Sequence, residues 1–227
     1  MKVVVVARCL NEERNIERFI HGYSFADLII VSDGGSIDNS LKLLRQYKNV
    51  KIIHFDEKMY YGDKGEHYNP DGSHLNFVIN AGKEYEPTWE ILDDIDDVPN
   101  SALKFQARNL LEAVEYSQIN AFRLYLWNDD QYFPKMNNNF HPDYTSLWAW
   151  KPNELNIWAD GSTSHVTIRG LHPEPYKIEI PMCLLHKSWD GKTIEKKLER
   201  YGAMGIKTSH PFNFAGNPVD LPEWAHE

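Results

Sequence analysis

The chain has 227 residues, of which 42% are hydrophobic and 25% are charged, a composition typical of a folded protein with one sizeable core. Its formal net charge of −9 argues against binding to nucleic acid or to an anionic membrane surface, because no strong basic run offsets it. The first apolar stretch, residues 3–7, is too short for the core of a signal peptide or for a membrane span, so we expect a cytoplasmic protein.

Apolar runs of strand length alternate with segments of helical period over the first half of the chain. The predicted strands are residues 3–7, 28–32, 50–55, 89–92 and 121–126. The predicted helices are a first from N-cap Asn11 to Gly22, a second with Ile37, Leu41 and Leu44 on one face, a third over 74–83, a fourth with Leu103, Ala107, Leu110, Leu111 and Val114 on one face, and a last over 194–205. This alternation predicts an α/β fold with a parallel sheet.

Two stretches interrupt the alternating pattern. Residues 56–73 are rich in Gly, Pro, Tyr and charge, which predicts a loop. Residues 127–180 are rich in Trp, Tyr, Asn, Pro and His without clear periodicity, and we expect an irregular subregion packed on the sheet.

Four carboxylates occupy five positions directly after the fourth predicted strand, in the segment WEILDDIDDVP of residues 89–99. Such a cluster is relieved either by solvent or by a bound cation. One interpretation is the start of a helix, whose dipole favours acids. The other is a metal site, because Asp94-Ile95-Asp96 lies at the exit of a strand and hard oxygen ligands suit Mg²⁺ or Mn²⁺.

The segment SDGGSIDNS, residues 32–40, follows the second predicted strand. Gly34 and Gly35 permit a tight turn, and Asp33 offers a carboxylate that can accept hydrogen bonds from a base or a ribose. An ordinary loop between a strand and a helix is the alternative. The spacing lacks a GxGxxG motif and a Walker lysine, so dinucleotide or P-loop binding is not expected.

Three segments together, VVVVARCLNEERNIERFI, ADLIIVSDGGSIDNS and NFVINAGKEYEPTWEILDDIDDVP, resemble the glycosyltransferase family 2 type of GT-A nucleotide-sugar enzyme. Such enzymes show an Asn-Glu-Glu helix after the first strand, an Asp-Gly-Ser-x-Asp turn that holds the base, and an Asp-x-Asp that holds metal and diphosphate. The resemblance covers residues 2–115 and implies a GT-A, Rossmann-like, mostly parallel sheet flanked by helices, with an irregular aromatic-rich acceptor region. Ile37 stands where the family usually has Thr, so the resemblance leaves the base open.

The resemblance implies roles for single residues around the nucleotide. Ala7, Arg8 and Glu13 would border the nucleotide, and Asp33 would meet its base. Asn76 matches the family's Asn upstream of the metal motif and would face the donor.

The metal site follows from the same resemblance. Asp94 would lie near the ribose and the metal, and Asp96 would be the direct metal ligand, whereas Asp93 and Asp97 would face solvent or the following helix start. The segment IPMCLLHKSWDGKTIEKKLERYGAMG resembles lipopolysaccharide-core and related family 2 enzymes, which makes His186 a third metal ligand or a diphosphate contact. A structural histidine at the end of a strand is the alternative.

Other residues of the second half have predicted roles with ordinary alternatives. Lys187, Lys192 and Arg200 would neutralise the leaving diphosphate, or are plain surface cations. Four tryptophans would stack on acceptor sugar rings, or belong to the core: Trp127, Trp148, Trp150 and Trp158.

An inverting reaction needs a base that takes the proton of the acceptor hydroxyl. Glu174, in LHPEPY, resembles the family's base and is the first candidate, and Asp160 in WADGS is the second. Asp129 and Asp130 are the third. On the alternative interpretation each is a solvated loop acid.

The predicted function is that of a metal-dependent, inverting glycosyltransferase of the hexosyltransferase type. It would move a sugar from a nucleoside-diphosphate sugar to a glycan or lipid-linked acceptor with Mn²⁺ or Mg²⁺ as cofactor, within one catalytic domain over residues 1–205. Residues 1–117 would bind the donor, residues 118–205 the acceptor, and residues 206–227 would form a tail. A sugar nucleotidyltransferase and a non-catalytic nucleotide-sugar-binding relative are the alternatives.

Overall fold

The structure, a computed structural model, describes residues 1–56, 70–126, 131–132, 145–160, 167–179, 181–187, 219–220 and 222–225. Its helices are α1 (Ile16–Gly22), α2 (Ser40–Leu44), α3 (Pro70–Lys83) and α4 (Ser101–Ala113), with a 3₁₀ turn at Glu223–Ala225. Its strands are β1 (Val3–Cys9), β2 (Leu28–Asp33), β3 (Val50–His54), β4 (Trp89–Leu92), β5 (Asp97–Pro99), β6 (Gln118–Tyr125), β7 (Gln131–Tyr132), β8 (Thr145–Trp150), β9 (Trp158–Asp160), β10 (Thr167–Arg169), β11 (Tyr176–Lys177), β12 (Leu184–His186) and β13 (Val219–Asp220).

Nine of the described strands form one sheet, in the order β3-β2-β1-β4-β8-β6-β12-β5, with β11 paired to β6. The pairs among β1, β2, β3 and β4 are parallel, as are the pairs of β6 with β11 and with β12. Strand β8 runs antiparallel between β4 and β6, and β5 runs antiparallel to β12. The predicted α/β fold with a mostly parallel sheet is therefore confirmed.

Both faces of the central strands are covered. In β1, Val3, Val5 and Ala7 lie in one core cluster with buried residues of α1 and α4. Val4 and Val6 point to the other face and pack with residues of α3 and β9. This double coverage explains why β1 is a continuous apolar run rather than an alternating one.

Two predicted helix starts differ from the structure. Helix α1 begins at Ile16 with Asn15 as its N-cap, so the predicted cap at Asn11 is wrong. The backbone of Asn11 has φ 57°, outside the helical region, and its side chain accepts a hydrogen bond from the amide of Ile37 instead. Helix α2 begins only at Ser40, which leaves Ile37 outside the helix and 92% exposed.

The region predicted to be irregular supplies a strand to the main sheet. Strand β8 lies between β4 and β6, and its last three residues, Trp148, Ala149 and Trp150, are fully buried. Three consecutive buried residues show neither a strand nor a helix period, so periodicity alone does not detect this strand.

The end of the chain is described in part. The predicted helix over residues 194–205 lies outside the described residues. In the predicted tail, the 3₁₀ turn at Glu223–Ala225 lies against α4, and Ala225 is buried in the core. None of the helices that the structure describes combines the length and apolar character needed to cross a membrane.

Candidate active site

The carboxyl ends of five strands meet at one edge of the sheet. Strands β1, β2 and β4 are parallel, and β6 and β12 run in the same direction, because β8 is antiparallel to both β4 and β6. The strands end at Cys9, Asp33, Leu92, Tyr125 and His186. We call this the carboxyl edge. Open α/β sheets bind their ligands there, and it carries the acidic cluster, the Asp33 turn and His186 together.

Three carboxylates of the acidic cluster are buried, Asp93, Asp96 and Asp97, so the prediction that Asp93 and Asp97 face solvent or the helix start is wrong. Arg123 of β6 explains their burial, with its Nη2 3.0 Å from Asp93 Oδ1 and its Nε 3.2 Å from Asp97 Oδ1. The Tyr23 hydroxyl donates a hydrogen bond to Asp93. Asp97 Oδ1 lies 2.8 Å from His186 Nδ1. A charge is tolerated in the interior when it is paired in this way.

The buried carboxyls of Asp93 and Asp97 differ in charge. Burial raises the pKa of Asp93 well above its ordinary value, and the charge of Asp97 adds to this rise. Burial also acts on Asp97, but Arg123 and His186 outweigh it and hold the pKa of Asp97 below its ordinary value. The negative charge of the pair therefore resides on Asp97, where Arg123 and the hydrogen bond with His186 stabilise it.

A group that fits a divalent cation consists of Asp96, Asp97 and His186. One ligand atom from each lies within 4.8 Å of the others, and His186 Nδ1 is 3.9 Å from Asp96 Oδ1. Two carboxylates and one imidazole suit Mn²⁺. Asp94, predicted as a ligand, is outside this group, because its Oδ1 pairs with Arg8 Nη2 at 3.0 Å. The structure thus brings together two of the three predicted metal ligands, and Asp97 stands in the place of Asp94.

Asp33 shapes the turn that follows β2. Its carboxylate accepts hydrogen bonds from the amides of Gly35, at 3.0 Å, and of Ser36, at 3.2 Å. Gly35 has φ 98°, a backbone region that favours glycine, so the second glycine is required by this turn. The Asp33 side chain is only 1% exposed, with His54 Nδ1 at 3.7 Å. In the structure this carboxylate therefore holds the turn, and contact with a base stays a prediction.

The loop after β1 interlocks with the same turn. The amide of Asn11 donates to Ser36 Oγ at 2.9 Å, and the amide of Glu13 donates to Asp38 Oδ2 at 3.1 Å. Glu13 Oε2 accepts from both the amide and the side-chain nitrogen of Asn39, each at 3.0 Å. The predicted nucleotide residues Glu13 and Asp33 therefore lie in two loops that support each other at the carboxyl edge.

The fold has counterparts among solved structures. Residues 1–349 of Staphylococcus aureus TarS, in complex with UDP, match with a TM-score of 0.52 at 14% identity, over 82% of this chain and 60% of that chain. The crystal structure of S. aureus TarS also matches with a TM-score of 0.52, at 12% identity, over 91% of this chain and 39% of that chain. The chain has the GT-A glycosyltransferase fold.

This likeness shows the fold and not the activity. The chain spans less than two thirds of either TarS chain. No model of a known protein family matches the chain, and no curated protein matches it. Within the GT-A fold, the roles of single residues therefore depend on the geometry of this chain.

Three further predicted nucleotide residues have defined positions in the GT-A sheet. Ala7 is fully buried within β1, so it can offer a ligand only its backbone. Arg8 follows it and points to Asp94 at the carboxyl edge. Asn76 of α3 binds the backbone of Ala159 twice, as donor to its carbonyl and as acceptor from its amide, each at 2.7 Å. The structure thus gives Asn76 a structural contact that anchors β9 on α3.

Glu174 lies at the wrong end of the sheet for a catalytic base. It precedes β11, which pairs with Ile119 and Asn120 near the start of β6, and the amide of the nearby His172 donates to Gln118 Oε1 at 2.7 Å. Gln118 and Tyr125 are the two ends of β6, about 20 Å apart at the usual rise of a strand. This placement argues against Glu174 as the base, and its role stays a prediction.

Asp160 is placed toward the carboxyl edge. Strand β9 runs along α3, with Lys83 bound to Asn156 at one end and Asn76 bound to Ala159 at the other. Helix α3 starts at the carboxyl edge, since His74 Nε2 near its start lies 2.8 Å from Ser32 Oγ near the end of β2, so Asp160 ends β9 on that side. Its carboxylate pairs with Arg169 Nη2 at 3.4 Å. The third candidates, Asp129 and Asp130, lie outside the described residues.

The other residues of the second half with predicted contacts are partly buried, partly exposed and partly outside the described residues. Trp148 and Trp150 are fully buried, so they belong to the core and do not stack on sugars. Trp158 is 46% exposed. The backbone amide of Lys187 donates to the carbonyl of Asp96 at 2.9 Å. Trp127, Lys192 and Arg200 lie outside the described residues.

Sequence reasoning missed two arginines that contact the acidic cluster. Arg123 binds Asp93 and Asp97, and Arg18 of α1 donates to the backbone carbonyl of Asp96. Arg123 had a detectable signal, because a charged residue inside the apolar run AFRLYL needs a buried partner. Arg18 had none, since one arginine on an amphipathic helix is usually a solvated residue.

Proposed function

We propose that the chain is a metal-dependent, inverting glycosyltransferase of the hexosyltransferase type. The observation that carries the proposal is the Asp96, Asp97 and His186 group, placed beside the Asp33 turn at the carboxyl edge of a GT-A fold. The donor is a nucleoside-diphosphate sugar, and the acceptor is a glycan or a lipid-linked saccharide. Because one TarS structure of this fold holds UDP, a uridine nucleotide is the first donor to test.

The residues of the site divide the work of the reaction. Asp96, Asp97 and His186 would hold a divalent cation, Mn²⁺ or Mg²⁺, which when bound offsets the charge that grows on the leaving diphosphate. The turn shaped by Asp33 receives the nucleotide base. Asp94, which forms an ion pair with Arg8 at the carboxyl edge, binds the ribose. Asp160 takes the proton of the acceptor hydroxyl as it attacks the sugar.

The charge balance of the site supports this division. Asp96 is 7% exposed and lies beside the buried, ionised Asp97, so the two carboxylates repel each other at close range. A divalent cation at this place neutralises both. A nucleoside diphosphate is itself anionic, and a bound cation relieves its repulsion from the acidic cluster as well.

The test is calorimetric titration with UDP in the presence and absence of Mn²⁺. Wild type is expected to bind UDP with Mn²⁺, and Asp96→Ala is expected to lose this binding while its melting temperature stays equal or rises, because a repelling charge is removed. Glu112→Ala, which removes an exposed carboxylate of α4, is the control and should bind as wild type does. Unchanged Mn²⁺-dependent UDP binding in Asp96→Ala would rule out the proposed site.

Product analysis separates the two alternative functions from the proposed one. A nucleotidyltransferase releases pyrophosphate from a nucleoside triphosphate and a sugar phosphate. Segment 8–15, which follows the first predicted strand, contains no glycine, whereas such enzymes carry a glycine-rich loop there. A glycosyltransferase hydrolyses its donor slowly in the absence of acceptor. A non-catalytic relative binds the donor but shows no such hydrolysis.

A further inference from the structure

The Asp96 and His186 side chains come from distant parts of the sequence and meet at the end of a short ladder. Strands β5 and β12 pair through three residue pairs, the last of which is Asp97 with His186. One further backbone hydrogen bond extends the pairing, from the amide of Lys187 to the carbonyl of Asp96 at 2.9 Å. Since strand ends fray readily, this ladder alone is a weak support for Asp96, whereas His186 is also paired with β6 on its other side.

Arg18 spans the end of this ladder. Its Nη1 donates to the backbone carbonyl of Asp96 at 3.1 Å, and its Nη2 donates to the backbone carbonyl of Leu185 at 3.1 Å. The two nitrogens belong to one rigid, planar guanidinium, so the two carbonyls are held at a fixed separation. One of these carbonyls belongs to Asp96 itself, and the other precedes His186.

The base of the Arg18 side chain is itself anchored. It lies on α1 between residues whose side chains are buried in the core, Ile16, Phe19 and Ile20. The guanidinium also brings a positive charge to the backbone of the acidic cluster, which lowers the repulsion among the carboxylates in the metal-free protein.

We propose that Arg18 is a positioning residue that holds Asp96 and His186 at the separation a divalent cation needs. This inference rests on the proposed function, because the divalent cation is part of that proposal. The forked contact with two carbonyls, and not the charge alone, is the basis of the role. A lysine at this position keeps the charge but cannot bridge both carbonyls in one plane.

The first experiment titrates Mn²⁺ in the presence of UDP into wild type and Arg18→Lys. The expected result is Mn²⁺ binding weaker by roughly 10–100-fold in Arg18→Lys, the range seen when residues that orient metal ligands are replaced. Full Mn²⁺ affinity in Arg18→Lys would overturn the inference, because it would show that the charge suffices.

Arg108→Lys is the matched control. Arg108 of α4 makes a comparable pair of contacts away from the site, from Nε to the carbonyl of Phe25 at 2.8 Å and from Nη2 to Asp27 at 2.6 Å. Both variants are expected to lose some thermal stability, but Arg108→Lys should keep the Mn²⁺ affinity. An equal loss of affinity in both would show a general loosening of the fold and would refute a specific role for Arg18.

A second readout needs no metal. Hydrogen exchange of the Lys187 amide, followed by NMR in the metal-free protein, reports directly on the bond to Asp96. It should be faster in Arg18→Lys and unchanged in Arg108→Lys, and equal rates in wild type and Arg18→Lys would contradict the positioning role. If wild type binds no Mn²⁺, the proposed function fails, and the exchange rates still decide whether Arg18 holds the two segments.

Discussion

Arg8 and Asp94 form an ion pair across the ends of two neighbouring parallel strands, with Arg8 Nη2 3.0 Å from Asp94 Oδ1. The pair separates Asp94 from the other acids of the cluster, because Asp96 and Asp97 turn toward His186 instead. Under the proposed function, a nucleotide at the carboxyl edge would meet Asp94 and Arg8 as a preformed polar pair.

Asp94→Asn is expected to weaken Mn²⁺-dependent UDP binding about tenfold, which corresponds to about 1.4 kcal/mol. The neutral amide is a weaker acceptor for a ribose hydroxyl and no longer holds Arg8 by charge. The stability of the fold should change by less than about 1 kcal/mol, because the pair is partly exposed. Calorimetry with UDP and urea unfolding measure the two effects.

Asp27→Asn is the control for this change. Asp27 pairs with Arg108 and is 42% exposed, close to the 45% of Asp94, but it precedes β2 at the opposite edge of the sheet. It should leave UDP binding unchanged. Equal UDP affinity in Asp94→Asn and wild type would show that Asp94 does not contact the nucleotide.

Asp160→Asn is expected to lower kcat by roughly 10²–10⁴-fold, the usual contribution of a general base. Glu174→Gln should leave kcat unchanged, because Glu174 lies at the far end of β6. Steady-state assays with a sugar nucleotide and an acceptor measure both variants. A loss of kcat only in Glu174→Gln would contradict this prediction, because it would place Glu174 at the reacting sugar.

Glu90→Gln is expected to stabilise the protein at neutral and alkaline pH. Glu90 of β4 is fully buried, and neither of its carboxyl oxygens has a hydrogen-bond partner among the residues that the structure describes. Burial raises the pKa of Glu90 to about 9, although Lys83 acts in the opposite direction. The folded protein therefore keeps Glu90 neutral at pH 7, whereas the unfolded chain ionises it near 4.5.

The sign of the pH dependence follows from these two values. The contribution of Glu90 to stability is fully present below pH 4.5 and is lost as the pH rises toward 9, by up to about 1.4 kcal/mol per pH unit. Urea unfolding at pH 5 and pH 8 measures the free energy of unfolding of Glu90→Gln and of wild type. The advantage of Glu90→Gln should be larger at pH 8 than at pH 5, by a few kcal/mol at most. The exposed control Glu112→Gln should show no such change with pH. If the unfolding free energies of Glu90→Gln and wild type differed equally at both pH values, the shifted pKa would be refuted.

Gly82→Ala is expected to destabilise the protein by about 1–3 kcal/mol, the usual cost of adding volume to a packed interior. A Cβ at Gly82 of α3 would lie 2.2 Å from Glu90 Oε1 and 2.6 Å from Val6 Cγ1, so these buried side chains or α3 must shift. Chemical denaturation measures the change. Gly34→Ala is the control, since a Cβ there meets its nearest neighbour, in His74, at 3.5 Å.

The local sequence determined the strands and the turn that carry the predicted site. Apolar runs predicted β1 to β4 to within two residues of their observed bounds. In β1 the run is continuous because this strand is buried on both faces. The placement of Asp94 and Asp96 after β4 and of Asp33 at the end of β2 follows from the chain alone. Strand direction then brought these residues to one edge.

The tertiary structure alone decided which carboxylates are buried and which group fits a cation. Asp97 and His186 are 89 positions apart, and Arg123 comes from yet another strand, so no local pattern shows that these charges are paired. The same holds for Glu174, which the pairing of β11 with β6 carries away from the carboxyl edge, and for Arg18. Local sequence sets the conformation of a segment, whereas the pairing of buried charges depends on which segments the fold brings into contact.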